Sequence, residues 1–192
     1  MRRRRWIASV GGFGATMFAG CVDTETSTGG HGANASADDG GAEPSDGELS
    51  TATEWPADPY EDWETTTVAV AEPTGETRGR VTAVIAETGA QRYTGLSNAT
   101  GLPEDGGMLF VYDEPRSSLT YVMREMDFGI DIVYADGERT ITTIHNAPAP
   151  APDADGNQQR YPGAGQFVLE VPYEWTDRHG VSAGDTLQFS RQ

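Results

Sequence analysis

The sequence predicts a small, mostly β domain of the β-rich α+β class, with an antiparallel barrel-like or sandwich architecture and one or two short helices. Short runs of β-branched and aromatic residues, several of them alternating with polar residues, fill the part of the chain after residue 64, as expected of half-buried strands. Turn residues separate these runs at short intervals. The only cysteine, Cys21, lies outside this part, so core packing alone must hold the domain together.

Eight strands and two helices follow from this pattern. Pro73-Thr74-Gly75 separates the first two strands, and Asp136-Gly137 is a strong hairpin signal between the fifth and the sixth. The second helix begins after Pro172 and ends before Gly180. The predicted strands are Thr65–Glu72, Arg78–Thr88, Met108–Tyr112, Leu119–Glu125, Ile130–Asp136, Arg139–Asn146, Gln166–Val171 and Asp185–Ser190, and the predicted helices are Gly89–Leu96 and Tyr173–His179.

The first 20 residues predict an export signal. Arg2–Arg5 form a positive segment, and the 13 residues from Ile7 to Ala19 form an apolar run that is too short to span a bilayer, which needs about 20 residues. The consecutive arginines resemble a twin-arginine signal. Phe18-Ala19-Gly20-Cys21 resembles a lipobox, in which the cysteine becomes the lipid attachment point and the new N-terminus. We therefore expect an exported protein that is anchored through Cys21 to the outer face of the cell membrane.

The charge of the chain restricts its partners. Removal of the signal leaves nine arginines and no lysine against 30 carboxylates, a formal net charge of −21. This charge argues against nucleic acid as a partner, because phosphates must be neutralised by basic side chains. Acidic excess without lysine is typical of halophilic proteins, which remain soluble at high salt; an ordinary acidic secreted protein is the alternative.

A change in composition divides the chain near residue 64. From Val22 to Glu64 there are 12 acidic residues and no arginine, among many Gly, Ser, Thr, Ala and Pro residues. Such a segment buries too little apolar surface to offset the entropy of ordering. We therefore predict a disordered acidic tether over 21–64 and a folded domain over 65–192. Trp55, Tyr60 and Trp63 are candidates for docking on that domain.

Three blocks of the chain resemble a known family. They read "RYTGLSNATGLPEDGGMLFVYDEP", "YVMREMDFGIDIVYADGERTITTIHNAPAP" and "YPGAGQFVLEVPYEWTDRHGVSAGD", and the likeness extends roughly from Val81 to Phe189. In this order they are similar to the domain-of-unknown-function 192 family, with its Arg-x-x-Gly-Leu helix, Gly-Met-Leu-Phe strand, Trp-Met-Lys-Asn-Thr segment, Val-Leu-Glu strand and Gly-x-x-x-Gly-Asp turn. The resemblance implies a small, mostly antiparallel β domain, often exported, without an established activity.

The resemblance assigns individual positions and also shows departures. Val122 stands where the family has tryptophan, and Glu125 stands where it has asparagine. If this segment forms a binding surface, the chain has lost an aromatic platform and gained a negative charge, so its ligand preference need not be that of the family. The positions that match are Arg92, Gly95, Leu96, Gly107, Met108, Leu109, Phe110, Met123, Arg124 (lysine in the family), Asp131, Glu170, Gly184 and Asp185.

Motif searches predict no cofactor and no nucleophilic centre. The chain lacks a Gly-x-Ser-x-Gly elbow, a phosphate loop and a His-Glu-x-x-His helix. We expect Arg124 to pair with Asp131 and Arg92 with Glu170 in fork-shaped ion pairs. These pairs either stabilise the rim of the barrel or line a pocket for a small polar or anionic ligand. The candidate ligand-binding residues are Arg92, Met123, Arg124, Asp131, His145 and Glu170.

Two functions from different classes remain open at this stage. The first is a non-catalytic, monomeric ligand-binding or envelope-accessory module. The alternative is a hydrolase that acts on polysaccharide or a similar envelope substrate through Asp131, Glu170 or His145.

We predict no metal site. Asp153, Asp155 and Asn157 resemble the start of a calcium loop, but the twelfth position of that loop is Ala164 and not glutamate. An acidic hairpin tip is the simpler account.

Overall fold

The computed structural model describes residues 54–191. The predicted export signal, Cys21, His31 and most of the predicted tether lie outside the described residues. Seven strands, two short α-helices and one 3₁₀ helix make up the described part. They are β1 (Thr65–Ala71), β2 (Thr77–Ala86), α1 (Gly89–Thr94), β3 (Gly106–Val122), β4 (Ile130–Ala135), β5 (Ile141–Ala147), the 3₁₀ helix Gly156–Gln158, β6 (Arg160–Pro172), α2 (Trp175–Arg178) and β7 (Thr186–Gln188).

All seven strands belong to one sheet, in the order β5-β4-β6-β3-β2-β1-β7. Every neighbouring pair is antiparallel except β2 and β3, which are parallel and are connected through α1. The sheet curls into a half-barrel, and its two edges meet at one end, where Thr140 bridges to Thr186 and the Leu187 amide donates to the Arg139 carbonyl over 2.9 Å. The mostly β, barrel-like prediction is therefore confirmed, and the sandwich alternative is not formed.

Two of the predicted strands are in fact one. Met108–Tyr112 and Leu119–Glu125 are parts of β3, which pairs with β6 along most of its length. Between Val111 and Arg116, β3 advances five residues while β6 advances only two. The polar stretch that the sequence suggests as a turn is therefore a bulge within a strand. The strand also ends at Val122 and not at Glu125, because Glu125 takes a left-handed conformation with φ of 57°.

The alternation of side chains along the strands gives the sheet two buried faces. The inner face holds a cluster with members from all seven strands, so this cluster lies inside the curl. A second cluster lies on the outer face of β2, β3, β4 and β6. The buried residues of this outer cluster are Tyr60, Val84, Ala86, Leu96, Met108, Phe110, Met123, Met126, Ile130, Ile132, Tyr134, Ala147 and Val168.

The segment before β1 covers part of the outer face. Tyr60 is fully buried, and its hydroxyl donates to the Gly95 carbonyl over 2.8 Å. The Trp55 indole N–H donates to the Thr82 carbonyl over 3.1 Å. The predicted boundary at residue 64 is therefore too late, since these aromatic residues are part of the folded domain. Their docking confirms the suggestion made from the sequence.

No helix within 54–191 combines the length and the apolar character that a membrane crossing requires.

Candidate functional site

A cavity of about 200 Å³ opens on the outer face, between α1 and the end of β3. Its walls come from α1 and the turn that follows it, from both halves of β3, and from single residues of β4 and β6. Three of the six predicted site residues, Arg92, Arg124 and Glu170, line it together. The remaining lining residues are Tyr93, Thr94, Gly95, Leu96, Ser97, Phe110, Tyr112, Thr120, Tyr121, Val122, Met126 and Ile130.

Glu170 is the acidic residue of the cavity. It lies on β6, paired with Met108 of β3 and Ile132 of β4, and it is only 5% exposed. Among the described residues its carboxyl group has no hydrogen-bond partner and no salt bridge. Burial raises the pKa of Glu170 to about 8, because an ionised carboxylate loses its hydration there. Most of the Glu170 side chains are therefore neutral at pH 7.

The tyrosines near Glu170 respond to the same environment. Burial raises the pKa values of Tyr60, Tyr121 and Tyr134, and the negative charge of Glu170 raises each of them further. The phenols are consequently neutral hydrogen-bonding groups across the physiological range.

Arg92 is positioned by α1. The helix begins with a capping box, in which Thr88 accepts from the Gln91 amide and the Gln91 side chain accepts from the Thr88 amide. Arg92 lies in the last turn, where one terminal nitrogen donates to the Glu87 carbonyl and, over 2.8 Å, to the Val111 carbonyl. Its guanidinium lies 4.8 Å from the centre of the Tyr112 ring. Its Nε and its second terminal nitrogen have no partner within residues 54–191.

Arg124 follows β3 and reaches the C-terminal end of α1. One of its terminal nitrogens donates to the Tyr93 carbonyl and, over 3.3 Å, to the Ser97 hydroxyl. Its guanidinium lies 4.1 Å from the centre of the Tyr93 ring. Carbonyl groups and aromatic rings thus hold both arginines at the cavity, and each guanidinium keeps N–H groups without a described partner.

The ion pairs expected from the sequence, Arg124 with Asp131 and Arg92 with Glu170, do not form between these described residues. The expectation rested on the assumption that each scarce arginine has an assigned carboxylate. Arg78, Arg178 and Arg191 do pair with carboxylates. Arg92 and Arg124 do not, because backbone carbonyls and ring faces take that role.

Asp131 lies outside the cavity, on the inner face of the sheet. Its carboxylate accepts from the Thr176 hydroxyl over 2.6 Å, from the Thr176 amide over 2.8 Å, from the Glu174 amide over 2.9 Å and from the Asn146 side chain over 3.0 Å. Burial raises the pKa of Asp131, and the hydrogen bonds from Thr176 and Glu174 oppose this effect. The arrangement fixes α2 to β4 and leaves the carboxylate little capacity to bind a ligand.

Met123 and His145 also lie away from the cavity. Met123 is fully buried in the outer core cluster. His145 lies on β5 between the rings of Tyr134 and Tyr161, at 5.9 and 5.6 Å, and one of its ring nitrogens is 2.8 Å from the Pro162 carbonyl oxygen. Neither of them lines the cavity.

The loop considered for calcium is closed by its own side chains. Asp155 accepts from the backbone amide and the side chain of Asn157, at 2.9 and 2.8 Å, and caps the 3₁₀ helix. These hydrogen bonds lower the pKa of Asp155. In the part of the chain that the structure describes, no three His, Cys, Asp or Glu side chains are grouped as metal ligands.

Sequence reasoning missed the aromatic wall of the cavity. The Tyr112 and Tyr121 hydroxyls lie 3.2 Å apart, and the Phe110 and Tyr121 rings meet edge to face at 4.9 Å. These rings and Tyr93 give the cavity an aromatic lining. The aromatic residues in the two halves of β3 could have indicated this wall. They could be interpreted only once both halves were placed in one strand.

Comparisons with known proteins agree with this fold. Residues 69–189 match the DUF192 family, described as an uncharacterized ACR. A crystal structure of a proposed transcription regulator from Sinorhizobium meliloti 1021 is 27% identical, with a TM-score of 0.59, covering 66% of this chain and 95% of its own. A protein of unknown function from Novosphingobium aromaticivorans DSM 12444 is 24% identical, with a TM-score of 0.56, covering 68% of this chain and 89% of its own. No curated protein matches the chain.

Proposed function

This chain belongs to the DUF192 family, and we propose that it is a non-catalytic binding module for a small ligand that carries an anionic group. The observation that supports the proposal is the cavity itself, which Glu170, a largely buried side chain without a described hydrogen-bond partner, lines together with Arg92 and Arg124. A buried polar group without a partner is costly, and each such group in a native protein calls for an explanation. A ligand that completes the hydrogen bonding of Glu170 is the explanation we adopt.

The arginines give the site its charge preference. In a domain dominated by carboxylates, Arg92 and Arg124 present guanidinium donors at one cavity, without a carboxylate among the described residues to neutralise them. Guanidinium groups bind carboxylate and phosphate through paired, charge-assisted hydrogen bonds. The ring faces of Tyr93 and Tyr112 hold the guanidinium groups in place. Because these side chains are already ordered, they lose less conformational entropy when a ligand binds.

Binding is favoured over hydrolysis by the placement of the acidic residues. A glycosidase-type mechanism requires two carboxyl groups on either side of one bond. Asp131 and Glu170 point to opposite faces of the sheet, and His145 lies on the far side of β4 from Glu170. A hydrolase at this cavity would need catalytic groups other than the pair of Asp131 and Glu170.

Thermal unfolding with a ligand panel tests the binding function. Small carboxylates, inorganic phosphate and envelope-derived sugars should be compared for wild type, Arg124→Ala and Arg160→Ala in high salt. Arg160 is exposed and outside the cavity, so it serves as the control. We expect at least one anion to raise the melting temperature of wild type and Arg160→Ala but not of Arg124→Ala. An equal response of all three proteins, or no response from any, would overturn the proposal.

The cellular location is a separate part of the proposal. We propose that the module is exported, carries a lipid at Cys21 and lies on the outer face of the cell membrane of a halophilic organism, on the evidence of the N-terminal motifs and the acidic composition. Replacement of Cys21 by Ser should release the protein from the membrane or leave it unprocessed. Full processing with unchanged membrane retention would refute the anchor. Replacement of Arg3 and Arg4 by Lys should block export by the twin-arginine route.

A further inference from the structure

A buried carboxyl group and two guanidinium groups line the same cavity, and from this we propose that the ligand is a small zwitterion, with its cationic nitrogen at Glu170 and its anionic group at Arg92 and Arg124. This inference rests on the proposed binding function and specifies the chemical class of the ligand. It leads to an order of affinities that a simple anion-binding site would not give.

Glu170 favours a cation as its partner. Glu170 is 5% exposed, lines the cavity and has no partner among the described residues. The apolar side chains of Phe110, Met126 and Ile130 share the lining with it. An ammonium group would supply both hydrogen bonds and the missing opposite charge, which is the strongest compensation available to a buried carboxylate.

The aromatic residues strengthen this preference. Phe110 and Tyr121 meet edge to face at 4.9 Å and both line the cavity beside Glu170. Aromatic rings attract cations through their negative faces, and aromatic residues around a carboxylate suit ammonium groups with or without methyl substituents. The rings of Tyr93 and Tyr112 are already occupied by Arg124 and Arg92, so they support the two guanidinium groups.

The size of the cavity limits the ligand. A volume of about 200 Å³ lies below the roughly 300–1,000 Å³ of pockets that hold drug-sized ligands. A four-carbon amino acid is therefore a suitable probe, because its nitrogen and carboxylate lie at opposite ends of a short apolar chain.

Proton release provides an independent signature. In the unliganded protein Glu170 carries a proton up to a pH of about 8. A bound ammonium favours the ionised form, so the carboxyl proton passes to solvent while the ligand keeps its own. The titratable groups near Glu170 are the phenols of Tyr60, Tyr121 and Tyr134, which are neutral. The charged groups that line the same cavity are Arg92 and Arg124. Affinity for a cation should accordingly rise about tenfold per pH unit below pH 8.

Isothermal titration calorimetry of the full-length protein, at fixed high salt, tests the inference. The probes are 4-aminobutyrate, its trimethylammonium derivative, butyrate and butylammonium. We expect either zwitterion to bind at least tenfold more tightly than butyrate and butylammonium, with tighter binding at pH 8 than at pH 6 and with release of protons. Glu170→Gln should weaken zwitterion binding at least tenfold and leave butyrate binding unchanged, and exposed Glu114→Gln is its control.

The outcomes separate the two proposals. If butyrate binds as tightly as the zwitterions, the zwitterion inference is overturned and the anion-binding function stands. If butylammonium binds as tightly as they do, the arginines contribute nothing, and both proposals are overturned. If none of the four probes binds, the inference is overturned, and the broader ligand panel then decides the proposed function. Arg124→Ala is a second variant that does not alter Glu170: it should weaken the zwitterions and butyrate but not butylammonium.

Discussion

Asp131 and Glu170 lie on adjacent strands, but their side chains leave the sheet on opposite faces. Asp131 pairs with Val171, and Glu170 pairs with Ile132. Because paired residues share a face and successive residues alternate, Asp131 points to the inner core and Glu170 to the outer cavity. One acid therefore secures a helix, while the other lines the cavity, and substitutions should separate the two roles.

Thr176→Val should destabilise the domain without affecting the cavity. The change removes the hydroxyl that donates to Asp131 over 2.6 Å and leaves a buried carboxylate with one donor fewer, which costs about 1–3 kcal/mol. Thr176→Ser keeps the hydroxyl and is the matched control. Denaturant unfolding should show a lower free energy for the valine variant, and a valine variant as stable as the serine variant would contradict the role assigned to Asp131.

Glu170→Gln should remove a pH-dependent loss of stability. The pKa of Glu170 is about 8 in the folded protein against 4.5 for an unperturbed carboxyl. Between these values the folded state binds more protons than the unfolded state, so the free energy of unfolding falls as pH rises, by at most about 1.4 kcal/mol per pH unit. The contribution is fully present below pH 4.5 and is lost as pH approaches 8.

Unfolding measured from pH 4 to pH 9 checks this prediction. The wild-type curve should descend relative to the Glu170→Gln curve across that window, whereas exposed Glu114→Gln should follow wild type. Parallel curves for wild type and Glu170→Gln would mean that Glu170 is not perturbed by burial.

Gly156→Ala should disturb the position of Arg124. A Cβ at residue 156 would lie 1.9 Å from the carbonyl oxygen of Met123, which is far inside contact distance, so the 3₁₀ helix and the turn that carries Arg124 would have to separate. We expect lower stability by about 1–3 kcal/mol and weaker ligand binding. Gly89→Ala is the control, because a Cβ at residue 89 meets no atom within 4 Å; equal melting temperatures for the two variants would refute the contact.

Tyr60→Ala should show that the segment before β1 belongs to the domain. Tyr60 is fully buried and bonds to the Gly95 carbonyl at the end of α1, so its truncation should cost about 3–5 kcal/mol. Tyr173→Ala removes a side chain that is 37% exposed and should cost much less. Thermal unfolding of both variants is the measurement, and similar losses would restore the boundary predicted at residue 64.

The sequence by itself determined the elements that depend on local chemistry. The runs of β-branched residues predicted β1, β2, β4 and β5 to within two residues at each end. Asp136-Gly137 correctly predicted the β4–β5 hairpin, and Gly89 and Pro172 placed α1 and α2 close to where they are found. These signals succeed because the alternation of side chains, helix capping and turn conformations are properties of a few consecutive residues.

Only the tertiary structure decided which of these residues meet. The bulge that joins the two halves of β3, the parallel pairing of β2 with β3 and the opposite orientations of Asp131 and Glu170 all depend on register between strands that are distant in the chain. The sequence nominated Glu170 as a site residue but did not show that its carboxyl group is buried without a described salt bridge. It becomes a buried, unpartnered acid because β3, β4 and the turn after α1 enclose it, and desolvation is set by whatever surrounds a side chain in space.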